Sequence, residues 1–236
     1  MALNKAVFKT RAITAIVFAA VLLLGLLWNH WLFITLFCII HFGCWYEFIK
    51  LVKRIYGNKS NPYYFFGFLY ITLPILMLVD LATGIRFFDL DHTQQIFFFK
   101  LIPCDMIFSL WINDTMAYIV GSLIGKTPFS KISPKKTWEG TIGGMVLCVL
   151  LIGIAARFVP VAKEMFAVKH WVTVAMLCAI FGTLGDLLES KLKRMANVKD
   201  SGSFMPGHGG FLDRFDSLLI ATPAVWLYLK LIALVV

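Results

Sequence analysis

The sequence predicts an all-α fold: a polytopic integral membrane helical bundle with about seven transmembrane helices. The first observation is composition. Of the 236 residues, 60% are hydrophobic and 15% are charged, and the mean hydropathy is +0.82, which is too apolar for an ordinary soluble domain. The second is that the apolar runs are long and continuous rather than alternating, which favours helices over a membrane barrel. The third is that basic residues cluster between these runs.

Each apolar run has the length of roughly 20 residues that a membrane-spanning helix needs. The first run resembles a secretory signal, but a second follows almost at once, so we interpret it as a retained span. We expect a single membrane domain over residues 1–236, with helices of generic character in 1–100 and a polar, motif-bearing region in 101–236 whose loops lie near 122–139 and 187–214. The predicted spans lie near 12–28, 31–49, 62–80, 96–121, 140–158, 169–187 and 215–235.

Lysine and arginine residues precede the first predicted span and follow the second, fourth and sixth. The excess of positive charge predicts that the N-terminus and all these clusters face the cytoplasm. Seven spans would then place the C-terminus outside. The loop between the third and fourth spans is expected to be exterior, and it carries Asp80, Asp89, Asp91 and His92 together with Arg86.

The net charge of +9 indicates attraction to anionic lipid headgroups. We do not expect nucleic acid as a partner, because no basic stretch is interleaved with exposed aromatic residues. The five cysteines form no CxxC pair and lie in apolar surroundings, so each is interpreted as a small buried hydrophobic residue.

Four carboxylates stand inside or at the ends of predicted spans: Asp114, Asp186, Asp213 and Asp216. Ionisable residues there are costly and indicate function. Converging carboxylates repel one another unless they share a cation, and oxygen ligands favour Mg²⁺. We therefore predict that Asp186 and Asp213 are metal ligands. The alternative is that the aspartates form surface ion pairs with Lys193, Arg194 and Arg214.

A polar helix face is predicted to follow Asp186. If the helix continues, Ser190, Lys193 and Arg194 share its face one or two turns further on, which is a suitable lining for a polyphosphate. Lys199 and Asp200 come next, and then Gly209 and Gly210, where the backbone can approach a ligand closely. His208 stands between glycines; it could contact phosphate or relay a proton, or its ring could cap a turn.

A second polar region runs from Asn113 to Gly144. Asp114, Tyr118, Gly121 and Gly125 recur at helical spacing, which predicts a face that packs closely or flanks a water-filled site. The following loop offers cations and hydroxyls of the kind that phosphate or a nucleotide needs. A plain cytoplasmic loop would explain its lysines but not its hydroxyls. The residues are Lys131, Ser133, Lys135, Lys136 and Thr137.

The stretch SKLKRMANVKDSGSFMPGHGGFLDRFD, Ser190 to Asp216, closely resembles the signature of the phosphatidate cytidylyltransferases, or CDP-diglyceride synthetases. That signature runs S-x-x-K-R, four residues, K-D, a short spacer and H-G-G-x-x-D-R-x-D. The segments NDTMAYIVGSLIGKTPF, SPKKTWEGTIGG and GDLLESKLKR also resemble this family. The resemblance covers about half of the chain.

The resemblance implies a membrane enzyme that joins CTP and phosphatidic acid to give CDP-diacylglycerol and pyrophosphate and requires Mg²⁺. The sequence leaves open a second cation in addition to Mg²⁺. It implies that Asp186 and Asp213 bind metal and that Ser190 and Lys193 lie at the active site. Together with the residue patterns, it leads to the prediction that Arg194, His208 and Arg214 also take part in catalysis. The predicted substrate-binding residues are Asp114, Lys131, Ser133, Lys135, Lys136, Thr137, Lys199, Asp200, Gly209, Gly210 and Asp216.

We expect a bacterial inner membrane location with the site facing the cytoplasm, where CTP is available and the acyl chains remain in the bilayer. Membrane lipids are expected partners, and the sequence is compatible with a homodimer. Three alternatives stay open: a CTP-dependent lipid-alcohol kinase, a cytidylyltransferase for another lipid phosphate, and a membrane transporter. A transporter more often places its carboxylates near the midplane and in repeated halves, and no repeat is visible in this sequence.

Overall fold

The structure, a computed structural model, describes residues 5–83, 100–204 and 209–235. This part of the chain is helical and holds no β-strand. Short 3₁₀ turns lie at Gly57–Lys59 and Asn61–Tyr63, and a π-helical turn lies at Phe68–Thr72. The α-helices are α1 (Lys5–Leu27), α2 (His30–Tyr56), α3 (Tyr64–Gly67), α4 (Leu73–Thr83), α5 (Leu101–Ile124), α6 (Trp138–Phe158), α7 (Pro160–Met165), α8 (Val168–Met195) and α9 (Leu212–Val235).

Six helical stretches of the described chain are long and apolar enough to cross a membrane, and a shorter apolar helix lies at Ile13–Leu27. Each predicted span corresponds to one of these seven stretches, so the all-α polytopic fold is confirmed. The six longer stretches are His30–Lys59, Asn61–Thr83, Leu101–Ile124, Trp138–Phe158, Val168–Met195 and Leu212–Ile232.

Two helices continue well past their predicted ends. α2 ends at Tyr56 and α8 at Met195, whereas the apolar runs stop near residues 49 and 187. Both extensions carry basic residues in the last turn, Lys53 and Arg54 in α2 and Lys193 and Arg194 in α8. Cations at this end interact favourably with the helix dipole, so the helix persists where the hydrophobic pattern has ended.

The chain folds into two compact units, each built from two separate stretches of sequence. The first unit comprises Met1–Ile75 and Lys191–Phe215, and the second comprises Leu76–Ser190 and Asp216–Val236. The single membrane domain expected from the sequence stays a prediction.

In the first unit, α1 and α2 form a helical hairpin. Asn29 caps α2, because its side chain accepts a hydrogen bond of 2.7 Å from the backbone amide of Leu32. One stripe of α2 is buried at alternating spacings of three and four residues, as on the inner face of a packed helix. The stripe is Phe33, Phe37, Ile40, Cys44, Glu47 and Leu51, and Glu47 is its only charged member.

In the second unit, α5 and α6 pack closely through small residues. A Cβ on Gly140 would lie 2.7 Å from the carbonyl oxygen of Ala117 and 2.8 Å from the α-carbon of Gly121. A Cβ on Gly144 would lie 2.7 Å from Cβ of Ala117. Glycine is therefore required at both positions for the backbones to approach, as in other small-residue helix pairs in membranes.

Two expectations from the sequence are wrong. Asp80 does not stand in a loop but inside α4, where it is nearly buried and accepts hydrogen bonds from Trp226 and Lys230, 2.7 Å each. Cys38 is exposed, whereas the other four cysteines are buried, because it lies off the buried stripe of α2. The remaining polar residues expected in the loop after α4, Arg86, Asp89, Asp91 and His92, lie outside the described residues.

Candidate active site

A cavity of about 490 Å³ lies in the second unit. Its walls come from α5, from the segment that precedes α6 and the first turn of α6, and from α8. Most of the lining side chains are polar or small, which is unusual in so apolar a chain. The lining residues are Asn113, Asp114, Ala117, Tyr118, Gly121, Ser122, Ser133, Lys135, Lys136, Thr137, Thr141, Thr183 and Asp186.

The wall formed by α5 is the face of polar and small residues that the helical spacing predicts. Asp114, Tyr118 and Gly121 all line the cavity, and Gly121 also packs against Gly140 of α6. The same face therefore both packs closely and flanks a cavity. Tyr118 is 77% exposed, so it forms an outer edge of this wall.

The segment between α5 and α6 is held in a compact turn by its own backbone. Phe129 donates to the carbonyl of Lys136 (2.8 Å), and Trp138 donates to that of Thr127 (3.0 Å). Thr137 caps α6 by accepting from the amide of Gly140, 3.1 Å away. These hydrogen bonds fix the positions of Lys135, Lys136 and Thr137 on the cavity wall.

Glu139 anchors the start of this segment. Its carboxylate accepts hydrogen bonds from the backbone amides of Lys126 (3.2 Å) and Thr127 (3.1 Å) and from the hydroxyl of Thr127 (2.8 Å). The sequence left Glu139 without a role. In the structure it ties the end of α5 to the beginning of α6.

The cavity brings opposite charges together. Lys136 forms an ion pair with Asp186, and both side chains are 30% exposed. The sequence had offered other basic partners for the aspartates, so this pair was not anticipated. It places a cation and a carboxylate on facing walls of the same cavity, where each can also contact a ligand.

Asp186 also belongs to a group of three carboxylates. Asp186, Glu189 and Asp216 each offer an oxygen atom, and these atoms all lie within 4.8 Å of one another. Glu189 and Asp216 are buried. All three donors are carboxylate oxygens, the hard ligands that Mg²⁺ favours, so these residues fit a divalent cation. Glu189 was missed as a candidate, although its spacing of three residues from Asp186 predicts a shared helix face.

Asp213, the second predicted metal ligand, lies in the first unit and is bonded to protein donors. One carboxylate oxygen accepts from Lys193 Nζ at 2.7 Å. The other accepts from the amide of Ser201 (2.9 Å), the amide of Gly210 (2.8 Å) and the hydroxyl of Ser201 (2.9 Å). The ion pair with Lys193 is one that the alternative interpretation anticipated. The role of Asp213 as a metal ligand stays a prediction.

The other predicted residues of the Ser190–Asp216 stretch differ in exposure. Ser190 is half-buried and follows Glu189 on α8, which continues past the apolar run as expected. Gly209 has a φ of +83°, which favours glycine. His208 lies outside the described residues. The exposed members are Arg194, Lys199, Asp200 and Arg214, and Lys131 of the second unit is exposed as well and does not line the cavity.

Glu47 is a further residue that the motif analysis missed. It is 3% exposed, and its carboxylate accepts hydrogen bonds from Ser201, Phe211 and Leu212. A signal existed in the sequence, because a lone carboxylate within an apolar span is rare and indicates a specific role.

This chain is similar in sequence to several phosphatidate cytidylyltransferases. A phosphatidate cytidylyltransferase of Rickettsia felis is 31% identical over 231 residues, which are 96% of this chain and 94% of that protein. One from Bacillus subtilis is 44% identical over 123 residues, 52% of this chain and 45% of the relative. The chloroplastic phosphatidate cytidylyltransferase 4 of Arabidopsis thaliana is 42% identical over 118 residues, 50% of this chain and 29% of the relative.

The matched segment thus spans less than half the length of the Bacillus and Arabidopsis relatives, whereas the match to the Rickettsia protein extends over nearly all of both chains. The profile of the cytidylyltransferase family matches residues 63–232. This range takes in more than half of the chain and includes the cavity, the carboxylate group and the whole Ser190–Asp216 stretch. The resemblance seen in the motifs is confirmed, and the chain belongs to the cytidylyltransferase family.

Proposed function

We propose that this protein is a phosphatidate cytidylyltransferase that converts CTP and phosphatidic acid into CDP-diacylglycerol and pyrophosphate. The observation that carries the proposal is the match to the Rickettsia felis phosphatidate cytidylyltransferase over 96% of this chain and 94% of that protein. The cavity of the second unit supports it, because that cavity combines the donors and carboxylates that a nucleotide triphosphate and its metal require.

The reaction is a displacement at phosphorus. A phosphate oxygen of phosphatidic acid attacks the α-phosphorus of CTP, a new P–O bond forms, and the bond from the α-phosphorus to the oxygen that bridges to the β-phosphorus breaks. The electron pair of that bond leaves with pyrophosphate. The nucleophile is already anionic, so the main barrier is repulsion between two anions, and the protein lowers it by positioning and charge neutralisation.

Lys135 and Lys136 are the cations that the structure places on the cavity wall. Their ammonium groups can neutralise phosphate charge, and the hydroxyls of Ser133 and Thr137 can donate hydrogen bonds to phosphate oxygens. Lys136 keeps Asp186 as its ionic partner, which holds its long side chain toward the cavity. Lys193, Arg194, Lys199 and Arg214 are proposed to act on the substrates because they match the family signature.

We propose that Asp186, together with Glu189 and Asp216, holds Mg²⁺ in the second unit. When bound, Mg²⁺ neutralises phosphate charge and stabilises the leaving pyrophosphate. The three carboxylates then serve to orient the cation, and their mutual repulsion is relieved by it. That Asp213 also binds metal is implied by the resemblance, and this role and the presence of a second cation stay predictions.

The chain is a membrane protein with several helices able to span the bilayer. We propose that it lies in the bacterial inner membrane and that its active site faces the cytoplasm. The basic residues in the last turns of α2 and α8 and in the segment after α5 support this orientation. The exposed Tyr118 at the edge of the cavity wall is suited to the membrane interface, where the lipid phosphate lies. A homodimer remains a proposal for the assembly.

The position of the transferred phosphorus tests the proposal. Protein purified in detergent is incubated with phosphatidic acid or diacylglycerol and with CTP labelled at either the α- or the γ-phosphorus. A cytidylyltransferase transfers the α-label to lipid, only with phosphatidic acid, and releases the γ-label in pyrophosphate. A CTP-dependent lipid kinase instead transfers the γ-label to diacylglycerol and releases CDP. Transfer of the γ-label alone would contradict the proposal.

A further inference from the structure

Glu47 lies in the middle of α2 and is far in sequence from the residues it contacts. Its Oε1 accepts from the amide of Phe211 at 3.0 Å, and its Oε2 accepts from the amide of Leu212 at 2.9 Å. Oε2 also lies 2.7 Å from the hydroxyl of Ser201. Both oxygens of a carboxylate that is 3% exposed therefore accept hydrogen bonds from two described stretches, residues 201–204 and 209–213, which together we call the signature loop.

Two of these donors are backbone amides at the start of a helix. α9 begins at Leu212, so the amides of Phe211 and Leu212 belong to the end of a helix where backbone donors have no partner within the helix. A negative charge at this end is stabilised by the helix dipole. A carboxylate from α2 thus caps α9 in place of a residue from α9 itself.

The glycines of the signature loop fit around the same carboxylate. A Cβ built on Gly202 would overlap Oε1 of Glu47, and a Cβ on Gly210 would overlap both of its oxygens. Glycine is thus needed at these positions so that the backbone can approach the carboxylate. The backbone at Gly202 and at Gly210 is therefore fitted to the carboxylate of Glu47.

The contacts of Glu47 continue to the residues of the family signature. The hydroxyl of Ser201 lies 2.9 Å from Oδ2 of Asp213 and accepts from the amide of Asp213 at 3.3 Å. It has one proton, so it can donate to either Glu47 or Asp213 at one time. Asp213 in turn holds Lys193 in an ion pair that is largely shielded from solvent, with side chains 6% and 13% exposed.

We infer that Glu47 is a positioning residue, which fixes the signature loop and, through Ser201 and Asp213, the ammonium group of Lys193. This inference rests on the proposed function, in which Lys193 acts on the substrates. A residue of the N-terminal helices, outside every motif of the family signature, thus sets the geometry of that signature. Misplacement of a catalytic group by about 1 Å can reduce turnover about 100-fold, so this contact has a measurable effect on rate.

The test compares Glu47→Gln with Asp80→Asn. Glutamine keeps the size of Glu47 but replaces one acceptor oxygen with an NH₂ group, which then faces a backbone N–H or the Ser201 hydroxyl. Asp80→Asn is a matched control, because Asp80 is also a nearly buried carboxylate that holds a lysine and a second donor. Asp80 is not part of any predicted site.

Two quantities are measured in detergent: kcat for CDP-diacylglycerol formation at saturating CTP, and amide hydrogen exchange of residues 209–213 without substrate. For Glu47→Gln we expect a kcat about 10- to 100-fold lower and faster exchange in 209–213, with the protein still folded. Asp80→Asn should keep the wild-type values of both. Glu47→Asp retains the charge but has a shorter reach, so it should fall between wild type and Glu47→Gln.

Wild-type kcat and wild-type exchange in Glu47→Gln would overturn the inference. If that variant does not fold, Glu47→Asp replaces it, and wild-type values in Glu47→Asp overturn the inference equally. If the wild-type protein forms no CDP-diacylglycerol, the proposed function fails; the exchange measurement still decides whether Glu47 fixes the signature loop. The two failures are therefore distinguishable.

Discussion

The signature loop of the first unit and the cavity of the second unit both concentrate polar groups in an apolar chain, but they use them differently. Around the signature loop, the carboxylates of Glu47 and Asp213 accept hydrogen bonds from backbone amides and from a buried hydroxyl. In the cavity, lysines, hydroxyls and Asp186 face open space of about 490 Å³. Carboxylates bonded to backbone amides give a loop its shape, whereas side chains that face a cavity are available to a ligand. We therefore assign a positioning role to Glu47 in the first region and a ligand-binding role to the side chains that line the cavity.

The largest effect is expected from neutralising a carboxylate that faces the cavity. Asp186→Asn keeps the shape of the side chain but removes the charge that pairs with Lys136 and one oxygen of the three-carboxylate group. We expect turnover to fall by at least about 100-fold, the size of effect seen when one electrostatic group of an active site is removed. The measurement is incorporation of α-labelled CTP into lipid.

Asp80→Asn serves as the control for this change too, since it neutralises a carboxylate outside the cavity. It should keep turnover close to that of wild type. Wild-type turnover in Asp186→Asn would show that the carboxylates of the cavity do not act in the reaction.

The next largest effect is expected from the cation on the cavity wall. Lys136→Gln removes one ammonium group from the site proposed for the CTP phosphates, so we expect kcat/KM for CTP to fall by about 10- to 100-fold. Initial rates over a range of CTP concentrations measure it. Lys59→Gln removes an exposed lysine elsewhere and should leave kcat/KM unchanged; an equal loss in both variants would mean that only overall charge matters.

A substitution at the contact between α5 and α6 is expected to lower the free energy of unfolding more than the rate of the reaction. Gly140→Ala places a methyl group 2.7 Å from the carbonyl oxygen of Ala117, so α5 and α6 must separate. Overpacking of this kind costs about 1–3 kcal/mol in the free energy of unfolding, measurable by denaturant titration in mixed micelles. Gly153→Ala, whose Cβ meets only Cγ2 of Val172 at 3.1 Å, should cost less. Equal losses would contradict close packing at Gly140.

The smallest effect should come from the anchor of the segment before α6. Glu139→Gln weakens the hydrogen bonds that the amides of Lys126 and Thr127 donate to this side chain. Because these hydrogen bonds are exposed, water can partly replace them. We expect kcat/KM to fall roughly twofold to tenfold, measured as initial rates over a range of CTP concentrations. Glu164→Gln, an exposed carboxylate of α7, is the control and should have no effect. No change in Glu139→Gln would mean that the segment keeps its shape without this anchor.

Much of the fold follows from the sequence, because long apolar runs and the basic residues between them are direct consequences of the bilayer. Helical spacing also predicted the polar face of α5, and the clustering of hydroxyls with lysines predicted four of the lining residues before α6, though not that Lys131 lies off the cavity. The sequence did not predict that the ionic partner of Asp186 is Lys136. Lys136 and Asp186 lie on different elements, and periodicity within one helix carries no information about such a contact.

Glu47 shows a second limit of the sequence. Its position in the buried stripe of α2 predicts that it faces protein, and a carboxylate there requires donors. The donors are two backbone amides and a serine more than 150 residues away. Because nearly every residue type carries a backbone amide, the sequence does not indicate which amides will be the donors. Glu189, in contrast, was within reach of sequence reasoning, because it shares a helix face with Asp186.

The stoichiometry of the reaction distinguishes cytidylyl transfer from the other activities. Wild-type protein in detergent is supplied with CTP and phosphatidic acid, and pyrophosphate and CDP-diacylglycerol are quantified together, with Mg²⁺ and after its removal by a chelator. We predict one pyrophosphate per CDP-diacylglycerol, no product without phosphatidic acid, and loss of both products in the chelator. Release of CDP in place of pyrophosphate, or no nucleotide-linked lipid under any of these conditions, would contradict the proposed cytidylyltransferase activity.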